Sequence, residues 1–339
     1  MQVSNTARGR RAKILCFTAL VGIPGAFSVG LATTAQAAAT VQAATTEQLQ
    51  NTWRETIRRT PMPSDGCFHA AYPDAAWTRV ECSTRPAVPY IHRTGRGSSF
   101  TTGNGNDYGI VTTSLISEAV GSFPSVTGVT KESGADGKNS YTLQLNSTPI
   151  HTAACNATAH PSSCQAWQQA VYSTGEGIVF FQYWLIGSGK PCPAGGGWSY
   201  YSGTGSCYKN SAETRVPTQV ITQLGNLKLT ATANQGGNDT SVLTTASDAY
   251  SASGPDTVAD LASVWKYVEF NIVGDGGGSE AKFNSGSHLT VNVALTDGST
   301  AAPTCKSDDG ETGETNNLNL GACTVSGGST PSATFTESN

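Results

Sequence analysis

Two apolar segments of this chain each carry one polar residue at the centre, and these two residues could do chemistry together. Gln182 lies in Gly177-Ile-Val-Phe-Phe-Gln182-Tyr-Trp-Leu-Ile186, and Glu269 lies in Tyr267-Val-Glu269-Phe-Asn-Ile-Val273. A carboxylate can act as general base toward water, and a primary amide can donate N–H bonds to the oxyanion of a tetrahedral intermediate. Together they would suffice for non-covalent peptide hydrolysis in acid. The alternative is structural: Gln182 satisfies a buried backbone group, and Glu269 sits at a solvated edge.

Both segments have the apolar, aromatic and β-branched composition of strands, in which alternate residues share a face. Each polar centre is flanked on its own face by side chains that we predict to bind substrate: Phe180 and Trp184 beside Gln182, and Tyr267 and Asn271 beside Glu269. If the two strands were neighbours, the amide and the carboxylate would meet across one sheet.

The N-terminus has the order of a secretory signal peptide. Basic residues between Arg8 and Lys13 precede an apolar stretch over 14–31, and Ala35-Gln36-Ala37 offers small residues for cleavage. We predict a signal peptide over 1–37 and a secreted product, extracellular or periplasmic; an uncleaved anchor is the alternative. No later segment approaches the ~20 apolar residues that span a bilayer, so no membrane partner is expected.

Cysteine usage agrees with export. Cys16 would leave with the signal, and an even set of eight remains, which predicts disulfides. They fall as close neighbours along the chain, so the simplest pairing is sequential: Cys67–Cys82, Cys155–Cys164, Cys192–Cys207 and Cys305–Cys323. Since no C-x-x-C occurs and the five histidines are scattered, we expect no metal and no other cofactor.

The rest of the chain predicts an all-β protein. Only 13% of its residues are charged, and turn clusters rich in glycine separate short apolar segments. The predicted strands are 109–116, 120–126, 140–146, 177–186, 218–222, 227–233, 241–245, 266–273 and 289–295. They predict a single antiparallel β-sandwich over 104–339, concanavalin-like, with two packed curved sheets. Helices are predicted only over 47–59 and briefly after Asp256.

Charge divides the mature chain into two regions. Residues 38–103 carry seven arginines against five acidic residues, a net charge of +2, whereas residues 104–339 have a net charge of −10. A basic leader can dock on an acidic domain. We therefore predict that 38–103 is a propeptide or an N-terminal cover, with an ordinary subdomain as the alternative.

Several segments resemble the glutamic peptidases, or eqolisins, in order and in spacing. They are Asn106-Asp-Tyr-Gly109, Ala119-Val-Gly-Ser-Phe-Pro124, Phe181-Gln182-Tyr-Trp, Ile221-Thr-Gln-Leu-Gly-Asn-Leu-Lys-Leu-Thr-Ala-Thr232 and Val268-Glu269-Phe-Asn-Ile-Val. The resemblance, to a distant bacterial-type member, covers roughly 104–295. It implies a β-sandwich acid endopeptidase with a basic propeptide, in which Glu269 is the general base and Gln182 stabilises the oxyanion. Phe270 and Gly274 depart from the family, which has a tryptophan and a second carboxylate there.

Two other functional classes stay open. A retaining glycanase needs a second carboxylate near Glu269, but Asn271 and Val273 stand at the expected positions. A non-catalytic, lectin-like sandwich could use aromatic side chains such as Trp184, Trp198, Tyr200 and Tyr201. The glycine run 274–278 lacks the following Lys-Ser/Thr of a phosphate loop and predicts a wide hairpin turn. The acidic balance argues against nucleic acid. We expect a monomer acting on polypeptide.

Overall fold

The computed structural model describes residues 45–83, 88–92 and 107–339. The predicted signal segment, 1–37, lies outside these ranges. The described residues belong to one compact unit, Ala44–Asn339. Its α-helix, α1, spans Thr46–Arg59, close to the prediction. A capping box starts this helix: the Thr45 hydroxyl accepts from the Gln48 N–H, and the Gln48 side chain accepts from the Thr45 N–H.

Strands dominate the described part of the chain, with three short 3₁₀ helices at Ala153–Ala157, Ile221–Asn226 and Asp256–Val258. The strands are β1 (Cys67–Ala71), β2 (Thr78–Val80), β3 (Gly109–Val111), β4 (Glu118–Thr127), β5 (Glu132–Gly134), β6 (Gly137–Lys138), β7 (Tyr141–Asn146), β8 (Gln165–Ser173), β9 (Ile178–Ile186), β10 (Ser199–Tyr201), β11 (Ser206–Asn210), β12 (Thr214–Arg215), β13 (Lys228–Thr232), β14 (Asn238–Thr244), β15 (Asp248–Pro255), β16 (Tyr267–Gly274), β17 (Glu280–Phe283), β18 (His288–Thr296), β19 (Thr304–Lys306), β20 (Thr315–Asn316), β21 (Asn319–Ser326) and β22 (Ser332–Ser338).

Two large antiparallel sheets pack face to face, as predicted for a β-sandwich. The back sheet has the order β2-β1-β15-β14-β13-β4-β18-β22-β21. The front sheet has the order β10-β11-β9-β8-β7-β16-β3-β19, and β12 also pairs with β9. A small third sheet, β20-β17-β5-β6, includes the parallel pair β17–β20. The strands that carry Gln182 and Glu269, β9 and β16, both belong to the front sheet.

Most predicted strands are present, but two predictions are wrong. Residues 218–222 run into the 3₁₀ helix Ile221–Asn226. The Ile221 N–H donates to the Asn139 side chain at 2.9 Å instead of to a neighbouring strand, so tertiary contacts override β-propensity there. The glycine run 274–278 is not a hairpin turn either, because it leads from β16 of the front sheet to β17 of the small sheet.

The core between the large sheets depends on a close approach of β16 to β4. Phe270 points inward from the front sheet, and its ring centroid lies 5.3 Å from that of Phe123 on the back sheet. A Cβ on Gly121 would lie only 2.1 Å from the Phe270 ring. Glycine is therefore needed at this strand position because the ring occupies the space of a side chain.

Replacing Gly121 by alanine is expected to lower the free energy of unfolding by about 1–3 kcal/mol, because the added methyl group overpacks the core. Chemical denaturation would measure this loss. Gly225→Ala is the matched control, since its added Cβ meets no atom closer than 3.6 Å. Equal stability of the two variants would contradict the packing described here.

All four predicted disulfides are present: Cys67–Cys82, Cys155–Cys164, Cys192–Cys207 and Cys305–Cys323. Each closes a short stretch of chain, and the largest sequence separation is 18 residues. The fourth nevertheless joins two sheets, because Cys305 lies on β19 of the front sheet and Cys323 on β21 of the back sheet. Four disulfides fit an extracellular protein. No helix in the described ranges is long and apolar enough to cross a membrane.

The helix and the two strands described between 45 and 82 lie on the back sheet. Strand β1 pairs with β15, and α1 buries Trp53 and Ile57 in a cluster that includes Val242 of β14. Arg58 forms an ion pair with Glu118 at 2.7 Å. Among the other arginines of 38–103, Arg85, Arg93 and Arg96 lie outside the described residues, and so does the predicted boundary at 103. Residues 88–92 of this region lie across the front sheet, where they contact Gln182.

Candidate functional site

Four polar side chains form a row across the front sheet. Strands β9, β8, β7 and β16 are successive neighbours, and their register places one residue of each strand directly opposite the next: Gln182, Gln169, Asn146 and Glu269. Directly opposed residues in antiparallel strands point to the same face. We call these four residues the polar row. Each is at most 1% exposed.

The two predicted catalytic residues therefore share a face, but they do not meet across one pair of strands. At ~4.8 Å per strand, the Cα atoms of Gln182 and Glu269 are about 14 Å apart, with β7 and β8 between them. The Cα atom of Gln169 lies about 10 Å from that of Glu269 on the same spacing. Adjacency of the two strands, the arrangement considered from the sequence, does not occur.

The residues predicted to bind substrate also lie on this face, but other parts of the chain cover them. Phe180 packs in a cluster with Ile178 and Val171, away from the core between the sheets. The Trp184 indole N–H is shared between the side-chain oxygens of Gln182 and Gln169, at 3.0 and 3.1 Å.

Near Glu269, both predicted binding residues contact other parts of the chain. The Tyr267 hydroxyl donates to the Asp309 carbonyl. The Asn271 amide donates to Asp107 at 2.7 Å. All four predicted binding residues are thus buried in the state described, so substrate contact would require the cover to move.

Part of this cover is an extended segment, residues 88–92, lying across Gln182. The Gln182 amide donates to the Val88 carbonyl at 2.7 Å, and its carbonyl oxygen accepts from the Tyr90 N–H at 2.7 Å. The same amide also donates to Asn210 at 2.8 Å. A single side chain on the polar row thereby holds a polypeptide backbone at two points.

A loop, residues 309–314, covers Glu269. The Glu311 N–H donates to Glu269 Oε2 at 2.6 Å, and the Thr312 N–H lies 3.3 Å from the same oxygen. Gly310 approaches so closely that a Cβ there would lie 3.0 Å from Glu269 Oε1.

Burial and a neighbouring acid raise the pKa of Glu269 well above its usual value. The largest cause is desolvation, followed by the charge of Asp107 and a hydrogen bond to it, while the Glu311 N–H acts in the opposite direction. Two carboxyl groups can share a hydrogen bond only if one carries the proton. Asp107 is thus a second carboxyl group in direct contact with Glu269. This arrangement differs from that of a retaining glycosidase, whose two catalytic carboxyl groups are about 5 Å apart and therefore too distant to share a hydrogen bond.

A buried hydrogen-bond network joins the polar row to the loop. The Gln144 carbonyl oxygen accepts from Gln169, Asn146 and the Thr312 hydroxyl, at 3.1, 3.2 and 2.9 Å. Glu314 accepts from the Gln144 amide at 3.2 Å. The side chains of the row are therefore held in defined orientations, as an active site or a rigid polar core requires.

Sequence reasoning missed Gln169 because it did not predict β8. The segment Trp167-Gln-Gln-Ala-Val-Tyr172 has aromatic and β-branched residues that could have indicated a strand, but its glutamines and alanines weaken the pattern. Asp107 and Tyr90 leave no periodic signal, because both lie in irregular segments that reach the site only through tertiary folding.

The aromatic surface expected of a lectin is only partly present. Trp184 is buried and stacks on Tyr208, with ring centroids 4.9 Å apart. Tyr200 is exposed and Trp198 is half-buried, each with a lysine amine over its ring. Within the described ranges, no group of three His, Cys, Asp or Glu side chains could hold a metal ion.

No protein-family model and no curated protein matches this chain in sequence. Among solved structures, a crystal structure of scytalido-glutamic peptidase with a peptide-based transition-state analogue is similar to it. The match covers 68% of this chain and 97% of that chain, with 15% sequence identity and a TM-score of 0.25. A similarity this low leaves the function to be inferred from the side chains of the site itself.

Proposed function

We propose that this chain is a secreted acid endopeptidase in which Glu269 activates water and a side-chain amide of the polar row stabilises the oxyanion. The proposal rests on the position of residues 88–92. This extended polypeptide segment lies on the polar row and is hydrogen-bonded through its backbone to Gln182. A face that holds an extended main chain beside a carboxyl group has the two elements that peptide hydrolysis needs.

Main-chain contacts continue along residues 88–92. The Gly277 N–H donates to the Pro89 carbonyl at 3.1 Å, and the Gly313 N–H donates to the Ile91 carbonyl at 2.8 Å. The Ile91 N–H donates to Glu314 at 3.1 Å. These contacts involve only main-chain groups of residues 88–92, so another extended polypeptide could make them. We therefore interpret 88–92 as the part of an N-terminal cover, 38–103, that takes the position of substrate.

The covered state described here is latent. Glu269 is buried and its pKa is raised, so its carboxyl group stays protonated in acid and cannot accept a proton from water. Displacement of residues 88–92 together with loop 309–314 would admit water to Glu269 and remove most of the desolvation that raises its pKa. The carboxylate could then take a proton from an attacking water, and the proton would pass on to the leaving amine.

We assign the oxyanion donor to Gln169 rather than to Gln182, because one carbonyl group must contact both the donor and the water held by Glu269. Gln169 is one strand closer, about 10 Å from Glu269 against about 14 Å for Gln182 between Cα atoms. Gln182 would instead bind the main chain of the substrate, as it binds the main chain of residues 88–92. Donor assignment to Gln182, as inferred from the sequence, is the competing prediction.

Hydrolysis of denatured casein between pH 2 and 7 by the secreted, acid-incubated protein tests the proposal. Gln169→Ala is expected to lower kcat about 10²–10³-fold, the usual effect of losing an oxyanion donor. Gln182→Ala should mainly raise KM. The reverse pattern would return the donor role to Gln182. Absence of hydrolysis at every pH would overturn the peptidase and favour the lectin-like alternative.

A further inference from the structure

We propose that the cavity filled by Tyr90 is a substrate subsite that selects tyrosine through two carboxyl groups at its end. The inference deepens the proposed function and rests on it. Tyr90 is completely buried, although it belongs to a short segment that crosses the face of the sheet. Its ring packs against Val171, Ile178 and Phe180, and its centroid lies 5.8 Å from that of Phe180. The walls of the cavity are thus apolar and aromatic.

The end of the cavity is acidic and contacts the phenolic hydroxyl. The Tyr90 hydroxyl oxygen lies 3.0 Å from Glu176 Oε2 and 3.0 Å from Asp275 Oδ1. A phenol donates only one hydrogen, so both contacts are hydrogen bonds when one carboxyl group is protonated and donates to the phenol oxygen. This pair of acids is matched to a hydroxyl group at the end of an aromatic ring.

Burial raises the pKa of both carboxyl groups. At Asp275, hydrogen bonds from the Ser173 hydroxyl at 2.8 Å and from the Gly175 N–H at 2.5 Å act in the opposite direction. Burial raises the pKa of Glu176 to about 7. In acid, the pair therefore keeps a carboxyl proton that can be donated to the phenol oxygen, while a carboxyl oxygen accepts the phenol hydrogen. The subsite is complete at the pH where the enzyme is proposed to act.

Phenylalanine would fit the apolar walls but would leave the two acids without the hydroxyl. Loss of a hydrogen bond to a buried polar group costs about 1–3 kcal/mol, which is about 5- to 150-fold in affinity. The chemical class that fits is a polypeptide with tyrosine in the position of Tyr90.

Glycines make room for the neighbours of Tyr90 in the bound segment. A Cβ on Gly276 would lie 2.9 Å from the Val88 side chain, and one on Gly313 would lie 2.7 Å from the Ile91 side chain. The glycine run 274–278 thus has a use in the site: it passes close to the segment and donates a backbone N–H to it.

A binding experiment tests the subsite without requiring hydrolysis. The Tyr90→Ala variant empties the cavity, and fluorescein-labelled Val-Pro-Tyr-Ile-His is compared with the same peptide carrying phenylalanine, by anisotropy at pH 4. We expect the tyrosine peptide to bind at least about 5-fold more tightly than the phenylalanine peptide. In the Tyr90→Ala, Glu176→Gln, Asp275→Asn variant, that preference should disappear. Equal binding of both peptides to Tyr90→Ala, or no binding, would overturn the subsite.

Two further measurements distinguish a failure of the tyrosine subsite from a failure of the proposed peptidase function. If Tyr90→Ala does not fold, Tyr90→Phe keeps the ring, and added tyrosine peptide should displace its segment more readily than phenylalanine peptide; equal displacement would refute the subsite. Preferential binding of tyrosine peptide by a protein that leaves casein uncut would support the subsite and refute the peptidase.

Discussion

Replacement of Glu269 by glutamine is expected to lower kcat/KM for peptide hydrolysis by about 10²–10⁴-fold, the usual contribution of a general base. Glutamine has nearly the same shape and can still accept the Glu311 N–H, but it cannot take a proton from water. The measurement is casein hydrolysis by acid-incubated wild-type and variant proteins across pH 2–7. Glu280→Gln on β17 is the control, because this partly exposed residue lies outside the polar row and should leave activity unchanged.

The same substitution should not weaken the fold. The pKa of Glu269 is raised in the folded state, so ionising this carboxyl group costs stability as pH rises through its folded-state value. Glutamine cannot ionise, and the variant should match or exceed the wild-type melting temperature at pH 7. Activity equal to that of the wild type would remove Glu269 from the mechanism. A lower melting temperature would mean that the activity loss reports unfolding instead.

The protein is expected to be more stable in mild acid than at neutral pH, with a melting temperature roughly 10 °C higher at pH 4.5 than at pH 8. Burial raises the pKa of Glu132, Glu176 and Asp239 to about 7 each. The folded state therefore holds protons that the unfolded chain releases near pH 4, and unfolding becomes easier as pH rises from about 4 through 7. The pKa shift at Asp239 alone corresponds to about 4 kcal/mol in the free energy of unfolding. A change of 1 kcal/mol in that free energy moves the melting temperature by about 2–4 °C.

Calorimetry at fixed salt over pH 3–8 would measure this dependence. Asp239→Asn is the matched variant: Asp239 accepts from the Asn234 N–H and the Gln168 amide, and asparagine can keep the first of these bonds without a titrating group. The variant should lose part of the decline between pH 4.5 and 8. A wild-type melting temperature that is constant or rises over this range would contradict the prediction.

Stability should also fall at still lower pH. Hydrogen bonds and charges from Lys228 and Arg58 lower the pKa of Glu55 in spite of its burial. The stability contributed by this group is present above its unfolded pKa and is lost as pH falls through its folded pKa. The stability optimum is therefore expected in mild acid rather than at the acidic extreme.

The amino-acid sequence by itself was enough to predict which residues are polar centres of apolar strands and which way they face. Alternation along 178–186 and 267–273 places Gln182 and Glu269 on one side of each strand, opposite Phe181 and Phe270, because strand periodicity is a local property. The disulfides were predictable for a related reason, since cysteines close in sequence can meet without any knowledge of the fold.

Only the tertiary structure decided which groups accompany those two residues. Strand order depends on pairing between segments far apart in the chain, and periodicity carries no information about which strand becomes a neighbour. Gln169 and Asn146 thus enter the row between Gln182 and Glu269 through the positions of β8 and β7. Asp107 and Tyr90 arrive from irregular segments, whose packing is set by the surfaces they meet and not by any repeating pattern of their own.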